Sequence, residues 1–575
     1  MTSPRLPSPS PARANASGRR PLLFRAIALL AGLAPFLLLE IALRIFGLGR
    51  PADNPDPFAG FNHNFPLFER SGPIYRTARA REPAIALQEF PVEKPRNGFR
   101  IFCFGGSTVF GHPYLGATAF PKWLELELAG SAPARSWQVI NCGGVSYASY
   151  RISPLVKEVL HYQPDLIILA TGHNEFLEDR TYHTLKSRNA AWAWLQRQAG
   201  SLRMAGLARR WLTGASAPTR SLESGSDGSA ALDPAVPTKL DELSGYASYH
   251  RDDAWHKRVA AQFDESVRRM VADCRAARVP VVLVRLGSNL RDCPPFKSEH
   301  RADLSAEPEA DWQAAFDAGS AAEPFDLSRA LKMYQEAEAI DAEYALLDYR
   351  IARVLDRLGR KPEALAHFQR ARDEDVCPLR IFTPLEQSLA RIAAETGAPL
   401  VDAATLLAAS SPDHIPGFDW YVDHVHPTIG GHQQIARALA AQMRQSDLLD
   451  RSATWPDEQR RETYARHLAS LGPAYFADGK RRVHWLENWA RRQRLAAETE
   501  PNDANGFIRL GFRRLDLGEE EAAWQAFEEA CKREGSVTNL ILAHAQQLAS
   551  EGRSERAASL RQFILSPSPS INRPK

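Results

Sequence analysis

Four short stretches place groups capable of nucleophilic chemistry in a definite order along this chain. They are Gly105-Gly106-Ser107, Asn141-Cys142-Gly143-Gly144-Val145-Ser146, Gly172-His173-Asn174-Glu175 and Asp423-His424-Val425-His426-Pro427. A serine hydroxyl is a poor nucleophile at neutral pH and needs a base within hydrogen-bond reach. His426 can take that proton and return it to a leaving group. Asp423, three residues earlier, can fix the imidazole tautomer and stabilise the imidazolium that forms. The oxyanion that develops on an attacked carbonyl needs fixed donors. Candidates are the backbone N–H of Ser107, a backbone N–H of the second stretch, and the Asn174 amide. Such an assembly attacks an ester carbonyl and calls for no cofactor.

Other chemistries are less well served. Neither G-x-x-x-x-G-K-[ST] nor G-x-G-x-x-G occurs, H-E-x-x-H is absent, and G-x-S-x-G fails at Val109. The cluster Asp413, His414, Asp419, Asp423, His424, His426 and His432 offers metal-ligand chemistry, but its spacings match no common ligand set and leave the serine unexplained. No metal is expected, and His424 and His432 read as structural.

In this order the four stretches resemble the blocks of the SGNH (GDSL-type) hydrolases: a serine after the first strand, a second-block glycine, a G-x-N-D asparagine, and D-x-x-H-P near the end of the domain. The resemblance covers roughly residues 97–183, 255–296 and 378–442. It implies the same roles for Ser107, His426, Asp423 and the oxyanion donors, and an acyl ester of a glycan or lipid as substrate. O-acyl transfer onto an envelope glycan uses the same residues and stays open, as does a non-catalytic scaffold. The chain departs from the pattern in three places. Gly106 stands where the family has aspartate, Glu175 replaces the third-block aspartate, and the second-block glycine falls on Ser146, with Gly144 fitting only in a shifted register. A backbone N–H does the second-block job, so Ser146 can serve. His173 and Glu175 are candidates either to line the pocket or to orient its neighbours.

The elements that must position these groups read as a parallel α/β sheet. Apolar runs at Arg100–Phe104, Trp137–Asn141, Leu166–Ala170, Val279–Val284 and Pro399–Val401 alternate with helical segments such as Pro154–Tyr162, Lys257–Ala277 and Pro384–Thr396. Alternation of this kind builds a doubly wound sheet, here of the flavodoxin-like SGNH type, with its site at the strand C-termini. The hydrolase-like domain is expected over 97–296 and 378–442, with a flexible Ser/Gly/Ala/Pro-rich loop at 214–235 and a linker and entry segment at 49–96, of which Pro51–Pro57 reads as the linker proper.

Residues 297–377 form an insertion with an internal repeat. Ala330, Tyr334 and Ala337 recur 34 residues on as Ala364, Phe368 and Ala371, and in the C-terminal region 443–565 Gly511, Gly518 and Ala523 recur as Ala545, Gly552 and Ala557. This period with small residues at helix contacts resembles tetratricopeptide repeats, which imply a protein partner. Lys480–Arg494 is basic with Trp485 and Trp489 interleaved; an amphipathic helix with its tryptophans in the repeat core outweighs nucleic-acid binding. Residues 566–575 are expected to be a disordered tail.

Residues 1–39 carry Arg5, Arg13, Arg19, Arg20 and Arg25 and no acid, and residues 22–48 are apolar but for Arg25, Glu40 and Arg44. A single-pass anchor at 22–48 is expected, with 1–21 as a cytoplasmic tail and the catalytic domain outside. Across all 575 residues, 71 basic groups nearly cancel 68 acidic ones, which excludes a polycation built for nucleic acid. Six cysteines without C-x-x-C make neither a disulfide framework nor a zinc ribbon. Cys293 and Cys377 each precede a proline where the insertion leaves and returns, so a disulfide between them is a possibility alongside two buried free thiols.

Overall fold

The computed structural model describes residues 66–82, 84–186, 245–452, 454–490, most of 501–550, 558, 560–562 and a few between 34 and 43. The chain divides into two units, Met1–Asp56 with Thr184–Gly228, and Pro57–His183 with Ser229–Lys575; the elements that bear on the site belong to the second. Among the described residues no helix is long and apolar enough to cross a membrane. Most of the expected anchor 22–48, all of the loop 214–235 and the tail 566–575 lie outside the described residues.

In the entry segment ahead of the main sheet a small antiparallel sheet forms from β1 (Phe68–Ser71), β2 (Ile74–Thr77) and β3 (Glu89–Pro91). The main sheet follows: β4 (Gly98–Gly105), β5 (Ser136–Gly143), β6 (Leu166–Ala170), β7 (Val281–Arg285) and β8 (Leu400–Asp402). All five pair in parallel in the order β5-β4-β6-β7-β8. The chain therefore steps outward from β4 to β5, then crosses back to β6 on the other side. That reversal opens a crevice beyond the C-termini of β4 and β6, where ligands bind in open α/β sheets.

The pleat sends alternate residues of β4 to opposite faces. Ile101 and Cys103 join a core with Trp123, Leu124 and Leu128 of α2 (Phe120–Ser131) and Ile435, Leu439 and Met443 of α12 (Ile429–Gln445); α1 is the short turn Ser107–Phe110 that follows β4. Phe102 meets the rings of Phe68, Phe90 and Tyr162. Arg100, fully buried, joins the two sheets: its guanidinium donates to Gln138 Oε1 (2.8 Å), Tyr162 O (2.6 Å) and Pro91 O (2.8 Å) and lies over Phe90. A charge can be buried there because each of its three nitrogens finds an acceptor. The remaining helices of the α/β layer are α3 (Ser149–Val159), α4 (Glu175–Lys186), α5 (Asp253–Ala276), α10 (Thr383–Thr396) and α11 (Ala403–Ala409).

The insertion is two helical hairpins, α6 (Ala306–Ala322) with α7 (Leu327–Ile340) and α8 (Ala345–Arg357) with α9 (Lys361–Asp373). Both sets of repeat positions are buried in its core, Ala330, Tyr334 and Ala337 on α7 and Ala364, Phe368 and Ala371 on α9. The C-terminal region holds α13 (Asp457–Ser470), α14 (Gly472–Ala490), α15 (Ala504–Leu517), α16 (Glu520–Arg533) and α17 (Val537–Ser550). Of its repeat positions Gly511, Ala523 and Ala545 are buried between helices. Gly518, Gly552 and Ala557 lie outside the described residues.

The insertion is closed at its neck without a disulfide. All six cysteines are free thiols, Cys293 and Cys377 both buried. The buried Asp375 carboxylate instead accepts N–H bonds from Phe296 (2.7 Å), Lys297 (3.0 Å) and Cys377 (3.0 Å), while Val376 N–H donates to Lys297 O and Arg380 donates to Cys293 O. A carboxylate taking three backbone donors joins outgoing and returning strands directly, so the possible crosslink gives way to a polar tie.

Candidate active site

The residues after β4, after β6 and before α12 converge at the crevice. Ser107 opens α1, raised on the turn that leaves β4 at Gly106. Its Oγ is 2.8 Å from His426 Nε2, and His426 Nδ1 is 2.6 Å from Asp423 Oδ2. With Nδ1–H donating to the carboxylate, Nε2 is left to accept the serine proton. The other Asp423 oxygen accepts the N–H groups of Val425 (2.9 Å) and His426 (2.8 Å). Burial pushes the Asp423 carboxyl upward, but the His426 and His424 imidazoles and these hydrogen bonds overcome it and hold the group well below the usual carboxylate range. It is a fixed anion beneath the base.

The oxyanion donors sort themselves by commitment. Gly144 N–H already donates to Gly105 O at 3.0 Å, closing β4 against β5, so the shifted register has no donor to offer. Ser146, with φ 60°, occupies the left-handed turn two residues on. Asn174 precedes α4, yet its amide reaches across to Tyr147 O at 3.3 Å. A Cβ on Gly106 would stand 2.4 Å from Asn174 Nδ2, so glycine in place of the family's aspartate leaves room for that amide beside the serine. The N–H of Ser107, at the first position of α1, has no partner within its own turn.

No family model matches the chain, and no curated protein does. Solved structures align to it distantly. An acetylxylan esterase from Geobacillus stearothermophilus is 12% identical over 61% of this chain and 96% of its own, with a TM-score of 0.25. A GDSL-like lipase from Bacteroides thetaiotaomicron is 9% identical over 60% and 88%, TM-score 0.25. An α/β hydrolase enzyme from the metagenome of Lake Arreo, Spain, is 13% identical over 61% and 96%, also at 0.25. Likeness this remote says nothing about chemistry, which rests on the side chains themselves.

The two candidate pocket residues turn out to brace the site. Glu175, buried, accepts Ser149 N–H (2.8 Å) and Ser149 Oγ–H (2.8 Å), placing a carboxylate at the N-terminus of α3. Glu178 accepts the preceding Ala148 N–H (3.0 Å) and pairs with Arg151. The loop bearing Ser146 is thereby tied to the helix that follows Asn174. His173 Nδ1 accepts Ile381 N–H at 3.0 Å, fixing the ring from the returning insertion. Of the metal-ligand cluster Asp423, His424 and His426 stay together, while Asp413 pairs with Lys361 and Arg291, Asp419 accepts Gly417 N–H, and His432 Nδ1 accepts Phe120 N–H. Among the described residues the only ligand-type grouping is Glu338, Asp348 and His367, where the Arg370 guanidinium already pairs with both carboxylates.

Two neighbours of the base were not apparent from the sequence. His112, buried, lies with its ring 5.4 Å from that of His426. Trp489 stacks 6.3 Å from His424 and contacts Phe296, so this tryptophan serves the site loop and not a repeat core. His112 has no motif around it, and Trp489 sits in the basic stretch that pointed to a repeat core.

Burial pushes His112, His173 and His432 down to about 3 and His256 and His424 down to about 4, aided by neighbouring cationic groups. In the unfolded chain these imidazoles titrate near 6.5. Below that pH the unfolded state binds protons that the folded state refuses, so their contribution is complete above about pH 6.5 and is lost as the pH falls. Each adds a slope approaching about 1.4 kcal/mol per pH unit. Replacing His432 with Gln is expected to remove about one such increment from the pH dependence of urea unfolding between about pH 4 and pH 6. An unchanged slope would mean that His432 protonates in the folded protein.

Proposed function

We propose that this protein is an SGNH-type serine hydrolase of acyl esters. The observation that carries the reading is the unbroken relay Ser107 Oγ, His426 Nε2, His426 Nδ1, Asp423 Oδ2, at 2.8 and 2.6 Å. In this reading Ser107 attacks the ester carbonyl as His426 takes its proton, and Asp423 stabilises the imidazolium. The oxyanion is received by the N–H groups of Ser107 and Ser146 and by the Asn174 amide. His426 then protonates the departing alcohol, and a water activated by the same base releases the acyl group from Ser107. The inserted and C-terminal helices, which meet at Arg357 and Asp503, fit a role in holding a larger acyl-bearing molecule or a partner.

The test is covalent. A fluorophosphonate should label the native protein on the peptide bearing Ser107 and on no other serine, and the labelled protein should lose hydrolysis of short acyl esters in step with the label. Native protein that stays unlabelled, or esterase activity that survives full labelling, would overturn the assignment.

A further inference from the structure

The loop that carries Asp423 is gripped from outside the α/β layer. Two arginines one turn apart on α15 reach it. Arg513 donates to Val422 O at 2.6 Å, lies 4.0 Å over the Phe418 ring and pairs with Glu487 at 2.8 Å. Arg509 Nε donates to Asp292 Oδ1 at 2.8 Å, and the second oxygen of Asp292 accepts Phe418 N–H at 2.9 Å. Asp292 is itself held by Asn289 Oδ1, and Asn289 N–H donates to His424 O at 3.0 Å.

The Val422 carbonyl belongs to the peptide bond that joins Val422 to Asp423, and Val422 N–H donates to His426 O at 2.9 Å. Fixing this carbonyl sets the peptide plane from which the Asp423 side chain departs. Tyr421, Val422 and Val425 are buried and pin one side of the loop. A cavity of about 380 Å³ adjoins it on the side of α15, lined among others by Phe418, Asp423, His424, Leu486 and Arg513. On that side the arginine ties are what hold the loop.

We propose that Arg513, supported by Arg509 through Asp292, is a positioning residue for the Asp423–His426 pair, so that the C-terminal helices complete the active site. The proposal rests on the triad reading above. A change of about 1 Å at such a pair is worth up to about 10²-fold in rate.

The experiment uses the full chain as wild type, Arg513→Met and Arg513→Lys, with kcat expressed per fluorophosphonate-labelled Ser107. Arg513→Met should lose about 10²-fold in kcat per labelled site with little change in KM. Should Arg513→Met fail to fold, Arg513→Lys carries the test. It can still reach Val422 O but cannot lie flat on Phe418, and should show a smaller loss of kcat, again with KM little changed. Wild-type kcat per labelled site in the folded variants would overturn the proposal, as would a loss confined to the fraction of molecules that label or one that falls on KM. If wild-type Ser107 does not label at all, the triad reading itself fails and takes the clamp with it.

Discussion

Asp423→Asn is expected to lower kcat for a short acyl ester by roughly 10⁴-fold while the protein stays folded and KM changes little. The reason lies in how the carboxylate is used. One oxygen takes the N–H groups of Val425 and His426, and the other faces His426 Nδ1. An asparagine must turn its carbonyl oxygen to the two backbone donors, because its NH₂ cannot accept from them. The NH₂ then faces Nδ1, which has to accept. Nε2 is left carrying the proton and can no longer take one from Ser107. Removing the nucleophile with Ser107→Ala should leave no more activity than Asp423→Asn does, and the double variant should be no worse than the poorer single, since groups acting as a unit are not additive. Steady-state kinetics with matched circular dichroism spectra check this. An Asp423→Asn protein within about tenfold of wild type would remove Asp423 from the mechanism.

The sequence carried the sheet because each strand of the α/β layer is a short apolar run ending in glycine or a polar residue, a pattern that survives without any homologue. Leu166–Ala170 is predicted and observed with the same bounds, and the serine and asparagine that follow β4 and β6 are brought together with the aspartate and histidine of the loop before α12. What was not legible depends on partners distant in sequence. Nothing local says that Gly144 N–H is spent on Gly105 O, which is what separates Ser146 from Gly144 as an oxyanion donor. Position beside Asn174 leaves Glu175 open between lining the pocket and orienting its neighbours, and its hydrogen bonds to Ser149 decide for the second. Strands of three or four residues at 68–91 are too short to show alternation, and only pairing with one another reveals them. The neck of the insertion has two cysteines that draw attention, yet it is closed by Asp375, an acid with no motif around it.

Glu178→Gln should be among the most destabilising single substitutions in the α/β layer, by about 3–5 kcal/mol, although Glu178 lies outside the triad. Arg151 and Glu178 are each about 1% exposed. Arg151 has its guanidinium 3.8 Å over the Tyr147 ring, and Glu178 also accepts Ala148 N–H at 3.0 Å. Glutamine keeps the shape and one acceptor but removes the carboxylate charge from a fully buried ion pair, which is the costly way to break such a pair. Replacing both partners with apolar groups, as Arg151→Met with Glu178→Leu, should recover much of the loss, because neither charge of the pair remains. It should not recover all of it, since Ala148 N–H is then buried without an acceptor. The exposed pair Asp447–Arg451 supplies the contrast, and truncating it should leave the urea midpoint unmoved. The pair matters to catalysis through the backbone it holds. Tyr147, under the Arg151 guanidinium, offers the carbonyl that receives the Asn174 amide, so loosening it displaces an oxyanion donor worth about 10²–10³ in kcat. Urea unfolding and kcat measured on the same Glu178→Gln preparation separate the two effects. Wild-type stability in that variant would show that the buried charge had found water or another partner.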